Sequence, residues 1–385
     1  MAGASLPIGC FIRIEKPGLQ AIIDRLKELG YRVIGPTISE SAIVYDEIAS
    51  LEELPIGFSD DQEAGRYRLK GDNGGAYFDY VVGPHSLKNY LFPPRATVLE
   101  CRRDGDDWQI RAPEVPARPL ALIGLRSCDL HALAMQDRIF LDDRFVSLDY
   151  QARREGLFVL GVNCGRAAPT CFCTSMDTGP AVTSGFDLAL TEMPTHFVLE
   201  VGTERGGMVG AAAEWRPCTI QEVTEAQHVP LRAEREMEQR RHPHPEGHRG
   251  RFLDTDNIHD LLLENLEHPR WDQVAERCLA CGNCTMVCPT CFCSTVVEVT
   301  DLTGDAVRRD RLWESCFNPE HSYMNSGMVR KSTRARYRQW LTHKLATWID
   351  QFGSSGCVGC GRCITWCPVG IDLTEEVAAI RGGTS

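Results

Sequence analysis

The chain has 385 residues, of which 43% are hydrophobic and 24% charged, a composition typical of a globular protein with two or three domains. Its 53 Asp and Glu residues outnumber its 41 Lys and Arg residues, which gives a formal net charge of −12. Because nucleic-acid binding needs a basic field, this balance argues against nucleic acid as a partner. No apolar run reaches bilayer length and no basic segment precedes a long apolar one, so we expect no membrane span, no secretory signal and a cytoplasmic location.

Residues 1–115 have the pattern of an α/β domain. A helix with apolar helical spacing is predicted over residues 19–29, ending before Gly30. Strands are predicted at residues 9–14, 32–34, 42–45 and 77–82, the second one broken by Gly35-Pro36.

Residues 116–225 are predicted to form a second α/β domain. Apolar strands at 120–125 and 157–162 are joined through a helix that ends near Phe140, which indicates a parallel βαβ unit. Functional groups collect where parallel strands end, and Cys128 and Cys164 each follow such an end. The fold class we expect for the N-terminal and middle region is therefore α/β with a parallel or mixed sheet.

Residues 226–252 are polar and rich in charge, His and Pro, and we interpret them as a solvated helix and linker.

Residues 253–385 are predicted as a C-terminal α-helical domain of the bacterial-ferredoxin type, with helical stretches at 257–266 and 271–276. This domain also contains a basic stretch, which we interpret as a solvated helix face. The alternative is a surface at which a partner docks. Its residues are Arg330, Lys331, Arg334, Arg336, Arg338, Trp340 and Lys344.

The 18 cysteines are the strongest chemical signal in the sequence. Thirteen of them lie in three groups with metal-ligand spacing, and in a reducing compartment such groups indicate metal or catalytic sites before disulfides. Residues 278–289 and 357–368 each have the spacing C-x2-C-x2-C-x3-C-P of bacterial ferredoxins. We therefore expect two [4Fe–4S] clusters.

In two-cluster ferredoxins the fourth cysteine of each run binds the other cluster. The first set of predicted iron ligands is Cys278, Cys281, Cys284 and Cys367. The second set is Cys357, Cys360, Cys363 and Cys288. A structural zinc site is the alternative, which we disfavour because a zinc ribbon uses two cysteines per arm and each run here has four, followed by Pro.

A third set of four cysteines comes from the middle region: Cys128, Cys164, Cys171 and Cys173. It predicts a third [4Fe–4S] cluster, with ordinary buried cysteines as the alternative. The sequence Pro-Thr-Cys-Phe-Cys occurs at 169–173 and again at 289–293. For Cys291 and Cys293 we favour packing or support of a nearby cluster over a further site with Cys316. The isolated cysteines Cys10, Cys101 and Cys218 are interpreted as structural.

Motifs for other chemistries do not occur in the sequence. There is no G-x-G-x-x-G after a strand, no Walker A motif, no H-E-x-x-H and no G-x-S-x-G. We predict no catalytic residue and interpret the chain as an electron relay. The alternative from another class is a self-contained iron–sulfur reductase with a substrate site near Cys128.

With these residues the chain resembles the iron–sulfur β subunits of cytosolic NAD(P)-linked [NiFe] hydrogenases of the sulfhydrogenase type, and it is similar to the electron-transfer subunit of anaerobic sulfite reductases. The resemblance rests on Gly35-Pro36, 65–69, Gly83-Pro84 with Lys88, 126–130, 164–173, both ferredoxin-type runs and 357–363. It implies a non-catalytic electron-transfer subunit in a hydrogenase complex. Its partners would be a flavin/NAD(P)-binding subunit and the hydrogenase small and large subunits, or sulfite reductase subunits.

Overall fold

A computed structural model of the chain describes residues 5–71, 74–111, 118–141, 144–241 and 250–382. In these ranges the strands are β1 Phe11–Glu15, β2 Arg32–Ser39, β3 Ala42–Glu47, β4 Phe58–Glu63, β5 Arg66–Gly71, β6 Arg95–Asp104, β7 Asp107–Arg111, β8 Leu120–Leu125, β9 Phe158–Val162, β10 Leu188–Glu192, β11 His196–Val201, β12 Trp215–Pro217, β13 Ser294–Thr300, β14 Ala306–Trp313, β15 Tyr323–Met324 and β16 Gly327–Met328.

The helices of the same ranges are α1 Leu19–Glu28, α2 Lys88–Leu91, α3 Ser127–Phe140, α4 Leu148–Arg154, α5 Glu204–Gly210, α6 Ile220–Glu238, α7 Ile258–Glu264, α8 Arg270–Arg277, α9 Asn283–Met286, α10 Thr333–Thr342, α11 Trp348–Phe352, α12 Arg362–Thr365 and α13 Leu373–Arg381. A π-helical turn, His343–Thr347, joins α10 to α11. None of the helices in the described ranges is long and apolar enough to cross a membrane.

An eight-stranded mixed sheet forms the centre of the N-terminal and middle region, in the order β12-β1-β11-β10-β9-β8-β2-β3. Strands β8 and β9 are parallel and joined through α3, which confirms the predicted βαβ unit and the α/β fold class. Every residue of β8 and β9 is buried, as expected for strands covered on both faces. The carboxyl ends of these two strands place Cys128 and Cys164 at the same edge of the sheet.

Two predictions about the N-terminal strands are wrong. Strand β2 continues through Gly35 and Pro36, because it pairs with β8 only over Arg32–Ile34 and Pro36 therefore needs no donor on that side. Residues 77–82 form no strand, because side chains satisfy their backbone groups. The Glu192 carboxylate accepts from two backbone N–H groups of this segment at 2.8 Å, and the Arg126 guanidinium donates to two of its carbonyls.

Predicted domains share sheets in this structure. Strands from 1–115 and from 116–225 lie in the eight-stranded sheet, and β13 and β14 extend the sheet of β6 and β7. The predicted boundary at residue 115 and residues 242–249 of the predicted linker lie outside the described residues. Residues 226–238 continue α6, which buries one face. The division into domains stays a prediction.

The C-terminal helices pack around a buried aromatic core. Trp271 of α8 and Tyr337, Trp340 and Leu341 of α10 belong to one apolar cluster with residues of α7 and α13. Cys357 and Ile364 belong to the same cluster. The ferredoxin-type loops are therefore anchored on a helical core, while β13 and β14 between the two runs were not foreseen.

Candidate iron–sulfur centres

The two ferredoxin-type loops have the same backbone conformation. Ala280 and Gly359, each two residues after the first cysteine of its run, have φ of 51° and 60°. Gly282 and Gly361, each directly after the second cysteine, both have φ of 75°. These left-handed residues curl each loop before the short helix α9 or α12 begins, so that successive cysteines turn toward one centre.

The first set lines one small cavity. Cys278, Cys281 and Cys284 of the first run face it together with Cys367 of the second run. The rest of the wall is mostly apolar and includes Leu279, Phe317, Tyr337, Trp340, Val369 and Ile371. The structure thus brings together the four cysteines that the spacing predicts, including the one crossed from the other run.

The second set is assembled in the same crossed way. Burial raises the pKa of the Cys357 thiol to about 12. The neighbouring Cys360 and Cys288 also raise this pKa. Burial also raises the pKa of Cys363 well above its usual value, with Cys357, Cys360 and Cys288 as the next causes. Cys288 of the first run also lies beside the start of the second run, because the Lys344 ammonium contacts both Cys288 Sγ at 3.2 Å and the carbonyl of Gly356 at 3.1 Å. Four buried thiolates here need a cationic group to compensate them, which suits a cluster with four iron ions.

Backbone N–H groups in the loops point at the sulfurs. Ala280 N–H donates to Cys278 Sγ and Gly359 N–H donates to Cys357 Sγ, both at an N···S distance of 3.4 Å. Ile371 N–H donates to Cys367 Sγ at 3.3 Å. Such donors stabilise ligating thiolates in iron–sulfur sites and tune their potential. The donor set and the loops therefore fit [4Fe–4S] clusters.

The third set also comes together. Cys128 lies at the start of α3, Cys164 follows β9, and Cys171 and Cys173 lie in the loop after it. Burial raises the pKa of Cys171 to about 12, with Cys164 as the next cause. The pKa of Cys173 is raised by burial and then by Cys171 and Cys164, and Cys173 in turn raises the pKa of Cys128. Cys128, Cys171 and Cys173 also belong to one buried cluster, so the structure brings these members of the third set together.

Two buried arginines beside this set were missed by sequence reasoning. The Arg126 guanidinium donates to the carbonyls of Phe78 at 2.7 Å and Tyr80 at 2.8 Å. Burial acts to lower its pKa, but neighbouring groups that include Cys164 and Cys128 raise it above the usual value. Arg362 pairs with Asp129 at 2.8 Å, and neither side chain is exposed. Each arginine lies within two residues of a predicted ligand, in Arg-Ser-Cys and Gly-Arg-Cys, and that adjacency is the signal that could have identified them.

The three sets adjoin one another in a row. The loop of the third set packs on the second, because Phe172 N–H donates to the Gly359 carbonyl at 2.8 Å and Thr178 Oγ1 donates to the Val358 carbonyl at 2.7 Å. Cys363 of the second set also lines the cavity of the first. The outer end of the row is the first set, where Cys281 is exposed and Leu279 is 63% exposed.

The remaining cysteines fall into two classes. Cys101 lies on β6, and Cys10 and Cys218 flank β1 and β12 and pack against apolar clusters that contain none of the predicted ligands. The thiols of Cys293 and Cys316 interact with each other, and Cys291 lies against Cys288.

In the part of the chain that the structure describes, no three His, Cys, Asp or Glu side chains converge on the position of a single metal ion. In a four-iron cluster each thiolate binds its own iron, so its ligands stand further apart.

Comparisons with known proteins agree with this chemistry. Residues 277–371 match the 4Fe–4S dicluster domain family. Over 381 residues the chain is 28% identical to sulfhydrogenase 2 subunit beta of Pyrococcus furiosus, an alignment that covers 97% of this chain and 99% of the relative. No solved structure matches. The predicted resemblance is confirmed: the chain carries a 4Fe–4S dicluster domain for electron transfer and is similar along nearly its whole length to a hydrogenase β subunit.

Proposed function

We propose that this chain is the iron–sulfur electron-transfer subunit of a cytoplasmic multi-subunit redox complex, and that it relays electrons between a flavin/NAD(P)-binding subunit and a [NiFe] hydrogenase module. The observation that carries the proposal is the continuous row of the third, second and first sets. When bound, each [4Fe–4S] cluster accepts and releases one electron, which is the chemistry a relay needs. The similar protein from Pyrococcus furiosus is a sulfhydrogenase β subunit, which favours the hydrogenase partner.

The proposal includes a third [4Fe–4S] cluster held by Cys128, Cys164, Cys171 and Cys173. Four thiols from two strand ends, Cys128 after β8 and the other three after β9, supply a complete ligand set. The buried Arg126 supplies a positive charge beside it, and a buried cation without a neighbouring anion is costly. A negatively charged cluster would provide that anion.

The contact between the third and second sets leaves no space for larger residues. A Cβ added at Gly359 would lie 2.5 Å from the Phe172 carbonyl oxygen, and one at Gly361 would lie 2.4 Å from the Thr170 carbonyl oxygen. These two glycines thus let the backbones of the two ligand loops touch. Close approach of neighbouring ligand loops favours electron exchange along the row.

The test is anaerobic isolation of the complex from its native host through an affinity tag on this chain. We expect flavin and nickel in the complex and H2 evolution that depends on NAD(P)H. Sirohaem with sulfite reduction would instead support the anaerobic sulfite reductase-like alternative. Turnover of a substrate by the isolated chain with an artificial electron donor would overturn the relay and support a self-contained reductase with a site near Cys128.

A variant pair connects the row to this activity. Cys281→Ala removes the exposed ligand at the outer end of the row, and Cys218→Ala removes an isolated cysteine. We expect the first variant to lose transfer between the subunits while the second retains it. Equal activity in the two variants would contradict a path through the first set.

A further inference from the structure

A buried lysine contacts a predicted cluster ligand. Lys344 is 3% exposed and lies in the π-helical turn between α10 and α11. Its ammonium is 3.2 Å from Cys288 Sγ, 3.7 Å from Cys291 Sγ and 3.3 Å from Thr290 Oγ1, and it donates to the Gly356 carbonyl at 3.1 Å. Single π-helical turns inside α-helices occur frequently at functional sites.

Among the described residues, no carboxylate forms an ion pair with the Lys344 ammonium. Its contacts are two sulfurs, a hydroxyl and a carbonyl. Burial of an ammonium is costly unless an anion pairs with it. A thiolate of Cys288, or a negatively charged cluster bound through it, is the anion that these contacts offer.

A second buried lysine approaches the same region from α2. Lys88 is 2% exposed, donates to the Thr285 carbonyl at 3.2 Å, and lies 3.9 Å from the centre of the Trp313 ring. Burial lowers the pKa of Lys88, and the neighbouring Cys291 and Cys288 act in the opposite direction. Two lysines from distant parts of the chain thus direct positive charge toward one end of the second set.

We propose that Lys344 is the counter-ion of the second set and raises the reduction potential of the [4Fe–4S] cluster that Cys288, Cys357, Cys360 and Cys363 bind. The inference rests on the proposed occupancy of that set by a cluster. Reduction adds a negative charge, and a fixed ammonium at a ligating sulfur stabilises the reduced state more than the oxidised state. Lys344 is a positioning residue for charge and does not bind iron.

The experiment is an anaerobic redox titration of the full chain followed by EPR, with iron counted on the same samples. The variants are Lys344→Met and Lys344→Gln, which remove the charge, and Lys344→Arg, which keeps it. Lys331→Met, at an exposed lysine before α10, is the matched control. We expect one cluster in the neutral variants to shift to a more negative midpoint by the equivalent of about a tenfold change in its reduction equilibrium, about 59 mV for one electron. Lys344→Arg and Lys331→Met are expected to retain the wild-type midpoint.

The iron count separates the possible failures. Neutral variants with full iron and unshifted midpoints would overturn the inference. Loss of iron in both neutral variants, with retention in Lys344→Arg, would support a counter-ion by showing that the charge holds the cluster. Loss of iron in all three Lys344 variants would assign the effect to side-chain shape and overturn it. A wild-type chain without iron would overturn the proposed function and the inference together, whereas full iron with unshifted midpoints overturns the inference alone.

Discussion

Asp129→Asn is expected to destabilise the protein strongly through one buried ion pair. The Asp129 carboxylate at the start of α3 lies 2.8 Å from Arg362 Nη2 in the second ferredoxin-type run, and both side chains are 0% exposed. Asn has nearly the same shape and keeps an oxygen that can accept from Arg126 N–H, as Asp129 does now. The substitution therefore removes the charge while retaining the helix cap.

The expected magnitude follows from the burial of the pair. Removing one partner of a buried ion pair leaves the other charge uncompensated and costs about 3–5 kcal/mol. Arg362 keeps its hydrogen bonds to the carbonyls of Gly83 and His85, but these are neutral acceptors. If the 385 residues unfold as one unit, typical unfolding entropies convert that loss into a fall in Tm of about 4–6 °C.

The assay is thermal unfolding under anaerobic conditions, followed by circular dichroism on samples with matched iron content. Glu47→Gln is the control, because Glu47 pairs with Arg32 at a similar 2.7 Å but both side chains are about half exposed. An exposed pair contributes about 0–1 kcal/mol, so the control should lose about 1 °C at most. The double variant Asp129→Asn with Arg362→Met should recover part of the loss. Equal Tm values for Asp129→Asn and Glu47→Gln would refute the reasoning.

Two further predictions concern the second and third sets. Gly361→Ala should lower the iron content, because the added Cβ would lie 2.4 Å from the Thr170 carbonyl oxygen and the residue has φ of 75°. Gly353→Ala, with φ of 69° and open space around its Cβ, should retain its iron, and equal retention would contradict the role of packing. Cys173→Ala should lower iron from about twelve to about eight per chain, measured with acid-labile sulfide, whereas Cys218→Ala should leave it unchanged. Unchanged iron in Cys173→Ala would exclude it as a ligand.

The local features of the site could be predicted from the sequence because the C-x2-C-x2-C spacing is a property of one short loop. The φ values of Gly282 and Gly361 show the physical basis, since each loop curls at an equivalent residue. The partner of each loop followed from the crossing rule of two-cluster ferredoxins. The third set was predicted from strand ends, because parallel strands bring their carboxyl ends to one edge.

The surroundings of the clusters could not be predicted in the same way. The basic stretch has the composition of a solvated face, and Arg334 and Arg338 do pair with the exposed Glu267. Lys344 lies in the π-helical turn and is buried, and it follows the buried Trp340 and Leu341 by four and three positions, which is the spacing of one helix face. Its burial was missed because a charged side chain at a buried position is read from the sequence as exposed. The interpretation of the basic stretch as a solvated face was therefore wrong for Arg336, Trp340 and Lys344, which are buried.

Residues 77–82 illustrate a second limit of pattern reading. Their apolar composition is typical of a strand, but their backbone groups bind the side chains of Glu192 and Arg126. Both partners are more than 40 positions away in the sequence. A contact of that range depends on the tertiary fold, and single-sequence propensity carries no information about it.

The most direct test of the row of clusters is iron and acid-labile sulfide per chain in anaerobically purified protein, with EPR after reduction by dithionite. Three sets of four thiolates predict about twelve iron and about twelve sulfide, with magnetic coupling between neighbouring clusters. About eight of each would contradict the third cluster and end the row at the second set. Zinc without sulfide would contradict the relay altogether.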